Sequence, residues 1–407
     1  IAAIGISYQM HGLVVLDEHQ QVVRPSIIWC DSRAVEIGNN AFEAIGHPYC
    51  QTNLLNSPGN FTASKLAWVK ANQPDLYARI KQVMLPGDFI AGRLTKQFTT
   101  TASALSEGIF YDFQDDKLAK PLLDYFGFEE SLFPHIQDVF SNHGIVDAEV
   151  ATSLGLNKQV QVTYKAGDQP NNAFSLGVLQ PGDIATTAGT SGVVYGVSDE
   201  LKYDKYSRVN SFAHVNYQKS AKRIGVLMCI NGTGILNRCV KQTISPELSY
   251  SQMNELAAST SIGSRGLLCV PFGNGAERIF QNQLVGGSFE HLDFNRHGRA
   301  EMIRSAQEGI AFSMAYGIEM LADAGINPVK LKAGFANMYL SDVFAQTIVN
   351  ASNVSVDLLE SDGAFGAALG AGLGLKYYAN EEEAVANIKH IKTINPIQAD
   401  LEQTKNA

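Results

Sequence analysis

Cysteine is scarce and scattered. The five residues, Cys30, Cys50, Cys229, Cys239 and Cys269, are odd in number and form no Cys-x-x-Cys pair. A disulfide framework and a zinc knuckle are thereby excluded. The nine histidines show no ligand spacing either, so no structural metal is expected. Basic side chains are outnumbered, 31 Lys and Arg against 40 Asp and Glu, for a net charge of −9. Nucleic acid and an anionic membrane lose their counter-charge and drop out as partners. A small anion such as a nucleotide stays open, because backbone amides can hold it locally. No apolar run is long enough to span a bilayer, and no signal peptide is visible. Three catalytic motifs are missing too: the G-x-x-x-x-G-K-[ST] phosphate loop, the H-R-D loop of protein kinases and the G-x-S-x-G elbow of hydrolases. The spaced glycines of FGNGAER lie in no dinucleotide-binding unit.

What is present is a well-buried globular chain. Apolar residues make up 45% of the 407 and charged ones only 17%, which at this length predicts two domains. IAAIGIS, LVVLD, VVRP and SIIWCD read as strands joined by turns. Helical patterns dominate from Ala34 to about Arg79, and short helices alternate with loops over residues 117–157. A buried strand, QVTYKAG, follows, and the domain boundary is placed just before it, near Asn157. DIATTAG and GVVYGVSD then read as a hairpin turning at Thr190 and Ser191, with helices at 232–243, 250–258 and 299–324. VKLKAG is a strand into a loop, followed by helix 341–351 and a small-residue helix, GAFGAALGAGLG. Strands and helices alternate in each half, which gives the α/β class.

Four segments could carry chemistry. Asp168, between a buried strand and Pro170, reads either as a helix cap or as a general base facing a substrate hydroxyl. TTAGTSGVVYG is either a plain hairpin or an anion nest with the Thr190 and Ser191 hydroxyls as added donors. Gln9, Met10 and His11 follow an apolar strand at its carboxyl end, where α/β folds bind ligands, although a lone His is commonly a turn residue. Trp29 and Asp31 end another strand and either face the same cleft or pack and cap.

Taken in order, these segments resemble the FGGY family of carbohydrate kinases over nearly the whole chain, and most nearly its members that act on D-xylulose. QMHG with the following hairpin and RPSIIWCDSR is similar to the sugar-binding start of that branch. GNFTASKLAWVKANQPDLYARI resembles the first family signature, with Thr62, Lys65 and Trp68 on its key positions. AGDQPNNAFSLG looks like the segment of the catalytic base, TTAGTSG like the second phosphate loop, and PFGNGAER like the Gly-Glu-Arg segment at Ala276, Glu277 and Arg278. GGSFEHLDFNRHGRAEMIRSAQEGIAF is similar to the second signature, and LKAGFANMYLSDVFAQTI to the adenosine segment. Departures occur at Asn60, Ala71, His291 and Gln307, and Ala333 and Phe335 flank Gly334 where the family has a Gly pair or triplet.

The resemblance implies two actin-like (ribonuclease H-like) domains around a cleft, a sugar-binding domain over residues 1–157 and a nucleotide-binding domain over 158–407. It implies an ATP-dependent, magnesium-assisted kinase of cytoplasmic carbohydrate (xylose) metabolism, with a small sugar and ATP as its partners; a homodimer is compatible with it. Asp168 becomes the general base and a candidate ligand of the magnesium carried by ATP. Gln9, Met10, His11, Trp29, Asp31 and Asp168 become the sugar site. Gly189, Thr190 and Ser191 are expected at the phosphates, and Gly232, Thr233, Gly334 and Asn337 near the adenosine. Gluconate, ribulose or glycerol is the alternative acceptor, and an idle actin-like nucleotide or sugar sensor the alternative to an enzyme. Family members also carry an Asp-x-Gly-Thr/Ser phosphate loop that does not occur here; the strand-like opening at Ile1 reads as a chain whose first strands lie upstream.

Overall fold

The computed structural model describes residues 1–407. Its first strand, Ala3–Tyr8, does not pair with its neighbour in sequence. It runs parallel to Gln161–Gly167, with Tyr8 opposite Gly167. That long-range pairing brings the strand expected to open the second half into one sheet with the start of the chain. A linear apolar pattern cannot show which partner a buried strand takes.

Between the two strands lie the helices of the first half. Val35–Ile45, His47–Asn53 and Thr62–Asn72 fall where helical patterns dominate the sequence, and Pro86–Thr95 adds a helix beyond that stretch. The segments VVRP and SIIWCD form only isolated bridges, Leu16 with Val22 and Leu13 with Ile27, rather than strands. Pro25 lies between them and has no N–H to give a ladder, and Val22 and Ile28 are about half exposed, at 48% and 45%.

The second half is built on a seven-stranded sheet in the order Asn210–Ala213, Ile224–Ile230, Gly192–Ser198, Asp183–Ala188, Lys330–Gly334, Val356–Glu360 and Lys389–Ile394. Its first four strands pair antiparallel, Lys330–Gly334 is parallel to both its neighbours, and the last strand is antiparallel again. Helix Arg299–Asp323 is buried along most of its length, with Ile310, Met314 and Leu321 in the core.

The small-residue helix Gly363–Gly374 joins the halves. A Cβ on Gly5 would stand 2.0 Å from the Ala367 carbonyl oxygen, and one on Gly374 would stand 1.9 Å from that of Thr163. Glycine is required at both points because backbone meets backbone there. The Thr163 hydroxyl donates to the Ala371 carbonyl at 2.9 Å, which ties the helix to the strand pair. The chain is thus a mixed α/β, two-domain protein in which small residues let the second half lie directly on the first.

Candidate active site

Because Tyr8 and Gly167 are register partners, the residues after them leave the sheet at the same carboxyl end. Met10 and Asp168 are brought together by that register. Gly167 sits between them under tight packing: a Cβ there would meet the Glu107 carboxylate oxygen at 2.4 Å and Met10 Cγ at 2.8 Å.

His11 takes a left-handed backbone conformation (φ 63°), which turns its ring inward. Its Nδ1 lies 2.8 Å from the Glu107 carbonyl oxygen, and its ring packs edge-on against Phe61 at 4.7 Å. Burial first, then the nearby Lys65 and Arg278 charges, push the imidazole down to about 3. The ring is therefore neutral near pH 7. A carbonyl can only accept, so Nδ1 carries the hydrogen and Nε2 keeps a lone pair able to accept from a substrate hydroxyl. The buried Lys65 ammonium donates to the His11 carbonyl at 2.9 Å and is pushed by burial down to about 8. Gln9 accepts from the Trp29 amide at 3.3 Å. Trp29 is itself 61% exposed, and Asp31 is held by Arg33 at 2.6 Å, so these two are more open than the buried Met10 and the half-buried His11.

Asp168 is not a cap. Gly167 occupies the cap position of helix Asp168–Ser175, and Asp168 is its first helical residue. Burial raises its proton affinity above that of an ordinary carboxylate, opposed by the amide and side chain of Gln169. One turn on, Asn171 accepts from Tyr164 and donates to the Gly363 carbonyl at 2.8 Å, which locks the helix against its neighbours.

The nucleotide side is made differently. Strands Asp183–Ala188 and Gly192–Ser198 close through Gly189, Thr190 and Ser191, as the sequence predicts. A cavity of about 560 Å³ opens beside this turn, lined in part by Gly189, Thr190, Asn237, Arg238, Tyr250 and Asn337. Gly334 lines a second hollow of about 240 Å³, which shares Ala188 and Asn337 with the first. Gly232 and Thr233 are buried behind the turn. The Gly232 amide donates to the Glu277 carboxylate at 3.1 Å, and the Thr233 hydroxyl donates to the Thr190 carbonyl at 3.1 Å. A Cβ on Gly232 would stand 1.8 Å from the Pro271 carbonyl oxygen. Thr233 thus holds the turn from behind and Gly232 is fixed to Glu277, while Gly189, Thr190 and Asn337 face the cavity.

The halves meet at strand Asn210–Ala213. The Asn56 side chain donates to the Ser211 carbonyl at 2.6 Å and accepts from its amide at 3.1 Å, as a neighbouring strand would. Phe212, on that strand, lies 5.3 Å from the His11 ring, so the second half packs directly against the His11 turn. Sequence reading passed over Asn56 and Glu107. Asn56 resembles any polar loop residue, while Glu107 gave one signal, an acid ending the otherwise small and apolar run ASALSE. No three His, Cys, Asp or Glu side chains converge in the chain. No helix is long and apolar enough to cross a membrane.

Comparison with known proteins identifies the family. The FGGY family of carbohydrate kinases matches through its N-terminal domain over residues 1–175 and through its C-terminal domain over residues 184–375. A xylulose kinase of Haemophilus influenzae is 26% identical over 100% of this chain and 82% of the relative. A crystal structure of a xyloylose kinase from Brucella ovis superposes with a TM-score of 0.89 at 26% identity, over 100% of this chain and 82% of that one. The gluconate kinase of Lactobacillus acidophilus, at 21% identity and a TM-score of 0.90 over the same shares, has the same fold. With both family domains matched in order, the chain belongs to the FGGY family of carbohydrate kinases and is an enzyme that phosphorylates a sugar.

Proposed function

We propose that the enzyme transfers the γ-phosphoryl group of ATP to the terminal hydroxyl of a ketopentose, D-xylulose before others, with Asp168 as general base. The observation that carries this is the register of Tyr8 against Gly167, which sets Met10, His11 and Asp168 at one strand end. His11 Nε2 accepts from a sugar hydroxyl, Met10 packs against the carbon chain, and Gln9 with Trp29 and Asp31 bounds the entrance. Asp168 takes the proton of the attacking oxygen as that oxygen meets phosphorus in line. Burial favours this, since a carboxylate held above its ordinary proton affinity accepts more readily. Transfer of this kind rests mostly on positioning, so the base need only be near and aligned.

ATP fits the cavity beside the hairpin turn, with its phosphates against Gly189, Thr190 and Ser191 and its adenosine toward Asn337 and the hollow at Gly334. The magnesium expected with ATP would be held mainly by the phosphates, with Asp168 as the candidate protein ligand, and no step is assigned to it. Closure of the halves about Asn56 and Ser211 would exclude water, which otherwise competes as acceptor. A cytoplasmic setting, where ATP is available, accords with five free thiols.

A second reading keeps the kinase and changes the acceptor, and the shared fold of the gluconate kinase supports it. A panel of D-xylulose, ribulose, gluconate and glycerol in a coupled ADP-release assay separates the two. D-xylulose is expected to give the highest kcat/KM. A preference for gluconate or glycerol by tenfold or more, about 1.4 kcal/mol, would move the assignment to that acceptor.

A further inference from the structure

Glu107 has no part in the chemistry above, yet it is the most unusual side chain near Asp168. It ends helix Ala102–Glu107, is 0% exposed, and neither of its carboxyl oxygens has a hydrogen-bond partner. No cation answers it. The Lys165 ammonium is held by Asp88 at 2.6 Å and by the Thr99 carbonyl, and that of Lys65 by the His11 carbonyl. An ionised carboxylate so placed would carry the full cost of desolvation. Its carbonyl holds His11 at 2.8 Å, and its side chain presses on Gly167, the residue before Asp168.

The geometry points to Glu107 as a positioning residue for phosphoryl transfer: an uncharged carboxylic acid that backs the Gly167–Asp168 turn and leaves Asp168 the only negative charge facing the attacking hydroxyl. This rests on the reading of Asp168 as base. The ionisable groups around Glu107 agree in sign. Burial first, then Asp168 and Asp88, raise its proton affinity well above the ordinary range, while the Gly167 amide, close to the carboxyl but outside hydrogen-bond geometry, pulls the other way. Tyr8 and Tyr164 feel the same carboxyl from the two strands, and Tyr195 feels it from the second half. A proton on Glu107 has two effects. It spares the γ-phosphate a second negative charge behind the base, and it keeps the proton affinity of Asp168 from rising so far that the base is occupied before substrate arrives.

The sign of the linkage follows from the raised value. Glu107 holds its proton in the folded state at pH values where the unfolded chain has lost it. Its contribution to stability is complete below the unfolded value, near 4.5, and is lost as pH rises through the folded one. The test compares the wild type with Glu107→Gln and Glu107→Asp in the complete protein, by kcat against pH and by Tm against pH. The wild type should lose kcat on the alkaline side as Glu107 ionises, and Glu107→Gln, the same shape without the titration, should lack that fall. Glu107→Asp withdraws the side chain from Gly167 and should lower kcat about tenfold while sugar KM stays within about twofold. In the melting arm the lead of Glu107→Gln over wild type should widen from pH 4.5 upward. An alkaline fall that persists in Glu107→Gln overturns the positioning role, and so does a loss in Glu107→Asp confined to sugar KM. A melting gap that does not vary with pH overturns the uncharged state. If the wild type phosphorylates no sugar, the reading of the site fails instead, and the melting arm still decides whether Glu107 is uncharged.

Discussion

The two sides of the cleft are built from different materials. On the side proposed for the sugar, side chains set the chemistry: a neutral His11 in a left-handed turn, a buried Lys65, an Asp168 of raised proton affinity and an unpaired Glu107. On the side proposed for the nucleotide, backbone sets it: a glycine-bracketed turn, amides bound by Glu277 and carbonyls bound by Thr233. The difference follows from what each must hold. A hydroxyl that must lose a proton needs groups with tuned proton affinity, whereas phosphates need converging donors and close approach. Substitutions on the two sides should therefore fail in different ways.

The largest expected effect is that of Asp168→Asn, which keeps shape and removes the proposed base. It should lower kcat by about 10²–10⁴ with sugar affinity, read by calorimetry, little changed. An equal loss in sugar affinity would make Asp168 a binding residue and erase the division of labour. Gly232→Ala breaks the other side through shape alone, because its methyl would lie 1.8 Å from the Pro271 carbonyl oxygen. The cost is about 1–3 kcal/mol, read as a lower Tm, with ATP KM raised and sugar affinity unchanged. If both substrates weaken together, the two sides are one rigid unit. Asn56→Ala tests the seam between them. Loss of its two hydrogen bonds to Ser211 leaves buried backbone groups unpaired, at about 1–3 kcal/mol. It should lower Tm and also raise the ratio of ATP hydrolysis to sugar phosphorylation, measured with and without the sugar.

The same contrast explains what could be read from the sequence. The α/β class, the hairpin at Thr190 and Ser191 and the helix after Asp168 were legible, because glycine spacing, Pro170 and apolar periodicity are local signals. The pairing of Ala3–Tyr8 with Gln161–Gly167 was not, since strand partners are chosen across the chain. The cap-or-base ambiguity of Asp168 also needed the fold: only the structure shows Gly167 in the cap position and Glu107 behind it. Gly232 and Thr233 were expected near the adenosine through the resemblance; the structure adds what each one binds, the Gly232 amide the Glu277 carboxylate and the Thr233 hydroxyl the Thr190 carbonyl. The resemblance supplied whole segments in order, but not which atoms in each segment face the ligand.

The smallest predicted effect compares the halves in acid. His143 in the first half is pushed down to about 3 by burial and Lys165, and His214 in the second to about 4 by burial and Arg223. Each ring bonds two partners, Thr99 and the Val139 carbonyl for His143, Tyr195 and the Val178 carbonyl for His214, and in each the carbonyl pulls the value up against the larger effect of burial. A base whose folded value is depressed binds fewer protons folded than unfolded. Stability is thus complete above the unfolded value, 6.5, and falls as pH drops toward the folded one. Each histidine removes about 1.4 kcal/mol per pH unit inside its window. Down to pH 4 the two should act alike, so His143→Gln and His214→Gln should relieve acid sensitivity equally between pH 6 and pH 4. Thermal melts of the wild type and both variants at pH 6 and pH 4 decide it. Relief in one variant alone would show that acid sensitivity is carried by one half and not by both.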